Sequence, residues 1–586
     1  MHRRIWLLVG AAVAVLLVAS SATATSRTAS TAKAADATPA AAPFNAAAIP
    51  KTAAARRAKS ILVFGMEQDV DGFNANLSCC SEFWAGITGN TPVIRGAYIV
   101  NDKLAYLPDL ATKITVTKTT LTYDINPNAN WYWGGKKLPV TWQDFAYAWR
   151  AFIDPKNDVT GRDGYDAIAS VSHKGDKEVI FHWRTSGCTA TKPCGPYADY
   201  KDLFAVGTVF PAAALKGMDY NKLWANCVCG SNGKPVSDGP YYLSNYTKGQ
   251  GLTLKANPFW YGPKPALKEI DFRLITDTNS EIQAMRGGEV DAIYPSPQTA
   301  LSSLRNQSGI VYNTVPGLYQ EHVDIQFGPK SSNVLLRSPW MRQAIMMGMD
   351  RPALINALYK DIAPGLQPLD SLLYYQTDKQ NYRPDFNRWD YNPTKALALL
   401  SKHCTGGPST PTQGNSSVWT CSGLPAKFRW TTVAGNQRRE TSFAIFKAEL
   451  ASIGIQLTDA LGPANVVFGP TVLEAGNYDM FEFAWVTSPD PAGFVPIWSC
   501  KGESNYLNYC NNKATALMKA SNSELDPAKR AADFKQANAL MAKDLPSIPL
   551  YATPAVLVYK KGISGLTNNP SLIGPTWNIY AWKWTS

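Results

Sequence analysis

Ten cysteines and five histidines are the residues of this 586-residue chain with the most chemistry to offer. The histidines do not converge with a reactive partner. His173, His182, His322 and His403 have no nucleophile or orienting acid at a recognisable spacing, so they read as structural or surface residues. No GxSxG elbow, HExxH helix, GxxxxGKS/T loop or GxGxxG turn is present. Glycoside hydrolysis needs two carboxylates across a cleft, and nothing marks out such a pair among the many acids. A secreted glycan hydrolase is therefore the least favoured class, and the expectation is a protein that is not an enzyme. Zinc is disfavoured by the lack of a CxxC pair and the scatter of the histidines, so no metal and no cofactor are expected.

The cysteines instead suit an oxidising compartment. Cys188 and Cys194, Cys404 and Cys421, and Cys500 and Cys510 lie close enough in sequence for local bridges. Cys79, Cys80, Cys227 and Cys229 remain. Neighbouring cysteines rarely satisfy disulfide geometry, so Cys79 and Cys80 are expected to bridge to Cys227 and Cys229. The chain opens as an exported protein should. His2, Arg3 and Arg4 precede an apolar stretch from Ile5 to Val18, and Ala22-Thr23-Ala24 offers a cleavage pattern. Residues 1–24 are read as a signal peptide, with an uncleaved anchor as the alternative. No cysteine precedes Cys79, so a lipid-attachment cysteine is absent. Residues 25–59, rich in Ala, Thr, Ser and Pro, read as a flexible linker. The expected location is across the cytoplasmic membrane, periplasmic or associated with the cell envelope.

The body has the material for large cores: 45% of residues are hydrophobic and 17% charged, which excludes disorder for most of the chain. The formal charge of +12 is concentrated at the start, where eight basic residues stand against Asp36 alone in the first 60 positions. No basic block interleaved with aromatics follows, so nucleic acid is not an expected partner.

Elements of both kinds alternate along the chain. SILVFGM (60–66) reads as a buried strand, and KITVTKTTLTYDIN (113–126) as a hairpin with one wet face. Thr141 and Asp144 open a helix whose Trp142, Phe145, Ala146, Trp149 and Phe152 share a face. Residues 238–258 and 269–275 predict three strands, and 279–285 a helix ended by Gly287-Gly288. Ser338-Pro339, Asp350 and Asn392-Pro393 open three more helices. A long helix from Arg438 to Ile453, strands at IQLTDA and at 478–485, and a helix at 527–544 follow. Two late strands are expected near 548–551 and 555–559. The class is α/β with several lobes.

Five segments, in this order, resemble the large extracytoplasmic solute-binding proteins of ABC importers, the oligopeptide/dipeptide/nickel-binding family 5. They are LTYDINPNANWYWGGKKLPVTWQDFAYAW, SDGPYYLSNYTKGQGLTLKANPFWYGPKPALKEIDFRLI, MRGGEVDAI, SPWMRQAIMMGMDRPALI and AKDLPSIPLYATPAVLVYKKGISGL. The resemblance runs from about residue 60 to the C-terminus. It implies a two-lobed periplasmic-binding-protein-like fold (type II, large cluster C type) with an accessory domain and a hinge. Carried onto this sequence, residues 60–92, 238–325 and 547–586 would form lobe I, 93–237 its accessory domain and 326–546 lobe II. The hinge would lie near Gln320–Gln326 and Ser547–Tyr551. Implied too are a monomer, a peptide or small-molecule ligand, and ABC permease subunits as partners; the alternative is a same-fold sensor or presenter without transport.

The peptide binders of this family place an acid three residues after a strand-end Trp, to pair with the peptide ammonium. Here Trp485 is followed by Ser488, which carries no charge, and Asp490 lies two residues further on. Dipeptide binders also place an Arg before the long helix of lobe II. WTTVAGNQ (430–437) holds no cation, and Arg438 and Arg439 are expected on the helix surface. With both charged anchors weak, a ligand gripped by aromatic faces and hydroxyls, or a longer peptide held by its backbone, is easier to accommodate than a buried dipeptide zwitterion. The candidate ligand-binding residues are Trp485, Ser488, Asp490, Phe83, Trp84 and Trp498.

Overall fold

The computed structural model describes residues 50, 52–189, 192–486 and 488–585. The basic start, apolar stretch and small-residue pattern of residues 1–24 lie outside the described residues. Part of the expected linker is not a tether. Thr52 caps a helix, Ala53–Ala58, by accepting from the Ala55 N–H. Arg56, 1% exposed, donates to Asp291 through Nε (2.7 Å) and Nη2 (2.6 Å). Such a forked, charge-assisted contact ties the segment to the body. Composition could not show it, because the partner lies 235 residues away.

One ten-stranded mixed sheet organises the molecule. Its strands in chain order are β1 (Ile61–Met66), β2 (Tyr241–Thr247), β3 (Gly251–Ala256), β4 (Glu269–Leu274), β5 (Ala292–Ile293), β6 (Ile310–Ile325), β7 (Lys427–Thr431), β8 (Gln456–Asp459), β9 (Met480–Val486) and β10 (Ser547–Lys560). The spatial order is β2-β3-β4-β1-β5-β10-β6-β9-β7-β8. The centre is the long antiparallel pair β6/β10, in register from Ile310 opposite Lys560 to Asp324 opposite Ser547. Two register shifts interrupt it, between Pro316 and Tyr319 and between Glu321 and His322. At the first, a side chain on Gly317 would collide with the Thr553 carbonyl, so glycine lets the two backbones close up around the bulge.

Two hydrophobic cores flank this pair. One gathers buried side chains from Leu62 to Tyr294 and from Ala555 to Trp582. The other is built mostly from Leu301 to Val558. Successive residues of β10 serve different cores: Ala555 and Leu557 enter the first, Val556 and Val558 the second. The period-two alternation of a strand makes this division possible. The fold is two-lobed, with β6 and β10 running between the lobes. Against the first core pack a four-stranded sheet (Ala111–Val116, Thr120–Ile125, Glu178–Trp183, Ile168–Lys174) and the helix Trp142–Ile153. That helix carries the expected capping box, with the Thr141 N–H donating to Asp144 Oδ2 at 2.8 Å.

The residue pattern by itself discloses no strand at β6, where the resemblance places only the hinge segment Gln320–Gln326. Its apolar positions are broken by Pro316-Gly317 and by Gln320, Glu321 and Asp324, so neither alternation nor a continuous apolar run survives. The two strands expected near 548–551 and 555–559 are one strand, β10, running through Pro549 and Pro554.

Disulfides join Cys188 to Cys194, Cys404 to Cys421 and Cys500 to Cys510. The other four cysteines correct the expectation: Cys79 bonds Cys80, and Cys227 bonds Cys229. The chain turns tightly at Ser78–Cys80, with Cys80 packed on Gly72, so the nearest thiol is the adjacent one. The two loops meet instead through backbone, the Phe73 N–H donating to the Trp224 carbonyl at 2.9 Å.

Candidate functional site

A cavity of about 290 Å³ lies over the centre of the sheet. Its floor is the crossing pair and its neighbour: Tyr319 and Glu321 of β6, Thr553 and Pro554 of β10, Ala484 and Val486 of β9. One wall comes from the first lobe through Glu67, Gln68, Trp84 and Tyr294. The opposite wall comes from the second through Arg438, Arg439 and Phe468. Phe83 stacks on Tyr294 (centroids 6.1 Å, 26°) and meets Tyr319 edge-on at 6.1 Å, giving the cavity an aromatic side.

Phe83 also borders a second chamber of about 390 Å³. That space lies between the loops around Glu82, Tyr106 and Asp202 on one side and Ser488-Pro489 on the other. A hydrogen bond from the Ala198 N–H to the Asn522 carbonyl (2.8 Å) joins the same two sides nearby.

Charge at the first cavity is arranged around Glu321. Its carboxylate, fully buried, accepts from Arg439 Nε at 2.6 Å and lies 3.9 Å from Arg438 Nη1. Burial works against the charged form, but Arg439 and then Arg438 more than offset it and hold the carboxyl below its usual range. Glu482 is buried nearby and behaves oppositely. Burial, then the Glu321 charge, pushes it well above the usual carboxylate range and so favours its neutral form. Two guanidiniums therefore face one carboxylate. Arg439, 5% exposed, is consumed by the pair. Arg438 donates to the Tyr359 hydroxyl at 3.0 Å and keeps access to the cavity. On the opposite wall burial raises Glu67, partly countered by hydrogen bonds from Ser296 and Thr278. Thr553 Oγ1, in a side chain 7% exposed, has no hydrogen-bond partner among the described residues.

Residues 105–506 match the profile of bacterial extracellular solute-binding proteins, family 5 (middle region). The chain belongs to that family. Among its relatives, the oligopeptide-binding protein OppA of Mycobacterium tuberculosis is 24% identical over 77% of this chain and 73% of its own. The oligopeptide-binding protein AppA of Bacillus subtilis is 23% identical over 82% and 84%. In fold, the chain is similar to a periplasmic EDTA-binding protein, EppA, with a TM-score of 0.76 at 21% identity over 90% of this chain and 96% of that one. NikA of Brucella suis, in complex with Fe(III)-EDTA, gives 0.74 at 16% identity over 90% and 100%. These likenesses agree with the two-lobed architecture. The family is one of extracytoplasmic binding proteins.

In this family-5 protein the six candidate ligand residues divide sharply. Phe83 and Trp84 line the first cavity, and Ser488 lines the second chamber. Trp485 lines neither. Strand alternation turns Ala484 and Val486 to the cavity and sends Trp485, 7% exposed, to the other face. There it stacks with His322 (6.2 Å, 11°) and Tyr506 (6.4 Å, 17°). Trp498 is fully buried in the same core. Asp490 caps the turn Pro491–Phe494 and is gripped by both Nη atoms of Arg530, so its charge is spent.

Arg438 and Arg439 correct the expectation of a helix surface. They sit in the first turn of the helix Gln437–Ser452, where cations oppose the helix dipole. That anomaly is the local signal of a buried acid. The acid itself, Glu321, lies 118 residues earlier on the strand the sequence did not disclose.

Proposed function

We propose that this protein is the extracytoplasmic solute-binding component of an ABC importer, capturing a peptide or other small solute in the interlobe cleft and delivering it to a membrane permease. The observation that carries this reading is the cavity floored by the crossing strands and walled by both lobes, with a charged side chain, Arg438, presented from the second. A ligand there touches both lobes at once and so favours the form in which they are together. The hinge belongs at Gln320–Gln326 and Ser547–Tyr551, beside the register shift at Glu321/His322. The lobes divide as 60–92, 238–325 and 547–586, with 93–237 as the accessory domain, against 326–546. The protein acts as a monomer, held near its permease in the periplasm or cell envelope.

The cavity chemistry narrows the ligand. The surplus guanidinium of Arg438 and the open hydroxyl of Thr553 suit an anionic group such as a carboxylate, and Phe83, Trp84 and Tyr294 suit an apolar or planar body. Relatives named as oligopeptide-binding proteins and a fold neighbour in complex with Fe(III)-EDTA are both compatible with a carboxylate-bearing solute.

Native mass spectrometry of protein purified without added ligand tests the reading directly. A retained small solute, unaltered, together with a melting shift on re-addition and a compaction seen by small-angle scattering, is the expected result. Turnover of the solute, or no compaction with any bound solute, refutes it. Loss of uptake of that solute in a deletion strain tests delivery.

A further inference from the structure

Where the family's peptide binders carry a strand-end acid, this chain carries Ser488, and the structure shows what faces it. Asp202, from the loop across the cleft, lines the same chamber; burial raises its carboxyl, and the neighbouring Ser488 and Tyr106 hydroxyls counter only part of that shift. Asp202 Oδ1 also accepts from the Tyr106 hydroxyl at 2.8 Å. Ser488, Tyr106 and Asp202 all line the second chamber, with Glu82 further along it.

The other charges around the chamber leave Asp202 available. Asp490 is neutralised by Arg530. Asp199, 4% exposed behind Asp202, is pushed well above the usual carboxylate range by burial and then by Asp202, which favours its neutral form. Glu82 is pushed up to about 7 by burial and then by Asp71. Among the described residues lining the chamber the cation is Lys201, an exposed side chain whose Nζ stands 5.4 Å over the Tyr106 ring. An independent feature points to a donor-rich guest. Asn90, 7% exposed, lines the chamber, and its Oδ1 accepts no hydrogen bond among the described residues.

We propose that the second chamber is a subsite for a primary ammonium group, bound by the Asp202 carboxylate across from Ser488, so that the amine anchor has moved from the second lobe to the first. The inference rests on the cleft being the ligand site. With the anionic group at Arg438, the ligand is zwitterionic and runs past Phe83, which borders both spaces. A peptide's α-ammonium and carboxylate meet that description. Asp202 and Ser488 stand on opposite sides of the cleft, so an ammonium held beside both adds its contacts only when the lobes are together.

The test loads the full chain with a mixture of tri- to pentapeptides and, separately, with the same mixture N-acetylated, read by native mass spectrometry and calorimetry. The free mixture is expected to load, and acetylation to weaken loading at least tenfold. Asp202→Asn is expected to reproduce that loss for free peptides and to leave acetylated ones unchanged, while Lys201→Met keeps wild-type loading. Because the acetylation arm uses the unaltered protein, it stands even if Asp202→Asn fails to fold. Equal loading of the two mixtures, loading of neither, or a loss on Lys201→Met with none on Asp202→Asn overturns the proposal. A retained natural cargo lacking an amine also overturns it, yet leaves solute capture standing; a protein that closes on no solute removes both.

Discussion

Substituting Glu321→Gln tests the charge arrangement beneath the cleft. The change is nearly isosteric, and the carboxamide oxygen can still accept from Arg439 Nε, now 2.6 Å from Glu321 Oε1. The charge is lost. Arg439 is 5% exposed, and the other acid near it among the described residues is Glu482, whose neutral form burial and the Glu321 charge favour. Breaking a buried pair by removing one partner costs about 3–5 kcal/mol. Glu482 can ionise in response, at the expense of its own desolvation, so the single substitution should fall near the lower end, about 3 kcal/mol. Glu482→Gln alone replaces a neutral acid by a neutral amide and should cost less than about 1 kcal/mol. The double variant closes the compensating route and should approach about 5 kcal/mol, beyond the sum of the singles.

Urea titrations at pH 7 measure these differences through the transition reported by Trp430, Trp485 and Trp498, all buried in the second core. The pH dependence supplies a further check. Glu321 titrates below its unfolded value, so its contribution is present above about pH 4.5 and is lost as pH falls through its folded pKa. The gap between wild type and Glu321→Gln should therefore shrink below pH 4. If Glu321→Gln lies within 1 kcal/mol of wild type, or Glu482→Gln costs as much as Glu321→Gln, the assignment of one ionised and one protonated acid is wrong.

Arg438→Ala should weaken solute binding at least tenfold in calorimetry while moving the unliganded melting temperature little, since Arg439 and Glu321 keep their contact. Asp271→Asn should match wild type at pH 4 and exceed it at pH 8. Burial raises Asp271 to about 7, so its contribution is full below about 3.8 and is lost as pH rises through 7; the gain is on the order of 2–4 kcal/mol, read by denaturation at the two pH values. Gly251→Ala should destabilise by about 1–3 kcal/mol in thermal melts, because φ is +137° and the added carbon would strike the Phe272 carbonyl. Replacing Cys404 and Cys421 together by Ser opens a loop of sequence separation 17 and should cost about 3 kcal/mol in denaturant midpoints under oxidising conditions.

Much of the fold was legible because local chemistry wrote it. Pro527–Asp544 is a helix where the sequence placed one, its start set by the Asp526 cap followed by proline, and Thr141 with Asp144 marked the start of Trp142–Ile153. Such signals are read over four residues and survive any tertiary context. The strand β6 was not legible, because its sequence answers to two lobes and a bulge rather than to one half-buried face. The cleft suffered accordingly. Phe83 and Trp84, picked out for their aromatic character, border the cavity, whereas Trp485 lies off it: a single step along β9 separates the cavity face from the core.

By itself, the sequence determined the family, the α/β class and the absence of the strand-end acid, since each depends on residue types in order along the chain. Tertiary structure alone decided where charge sits in the cleft. Glu321 meets Arg439 across 118 residues, and Asp202 meets Ser488 across 286. Whether a buried group keeps its charge depends on neighbours within a few ångströms, whatever their distance along the chain.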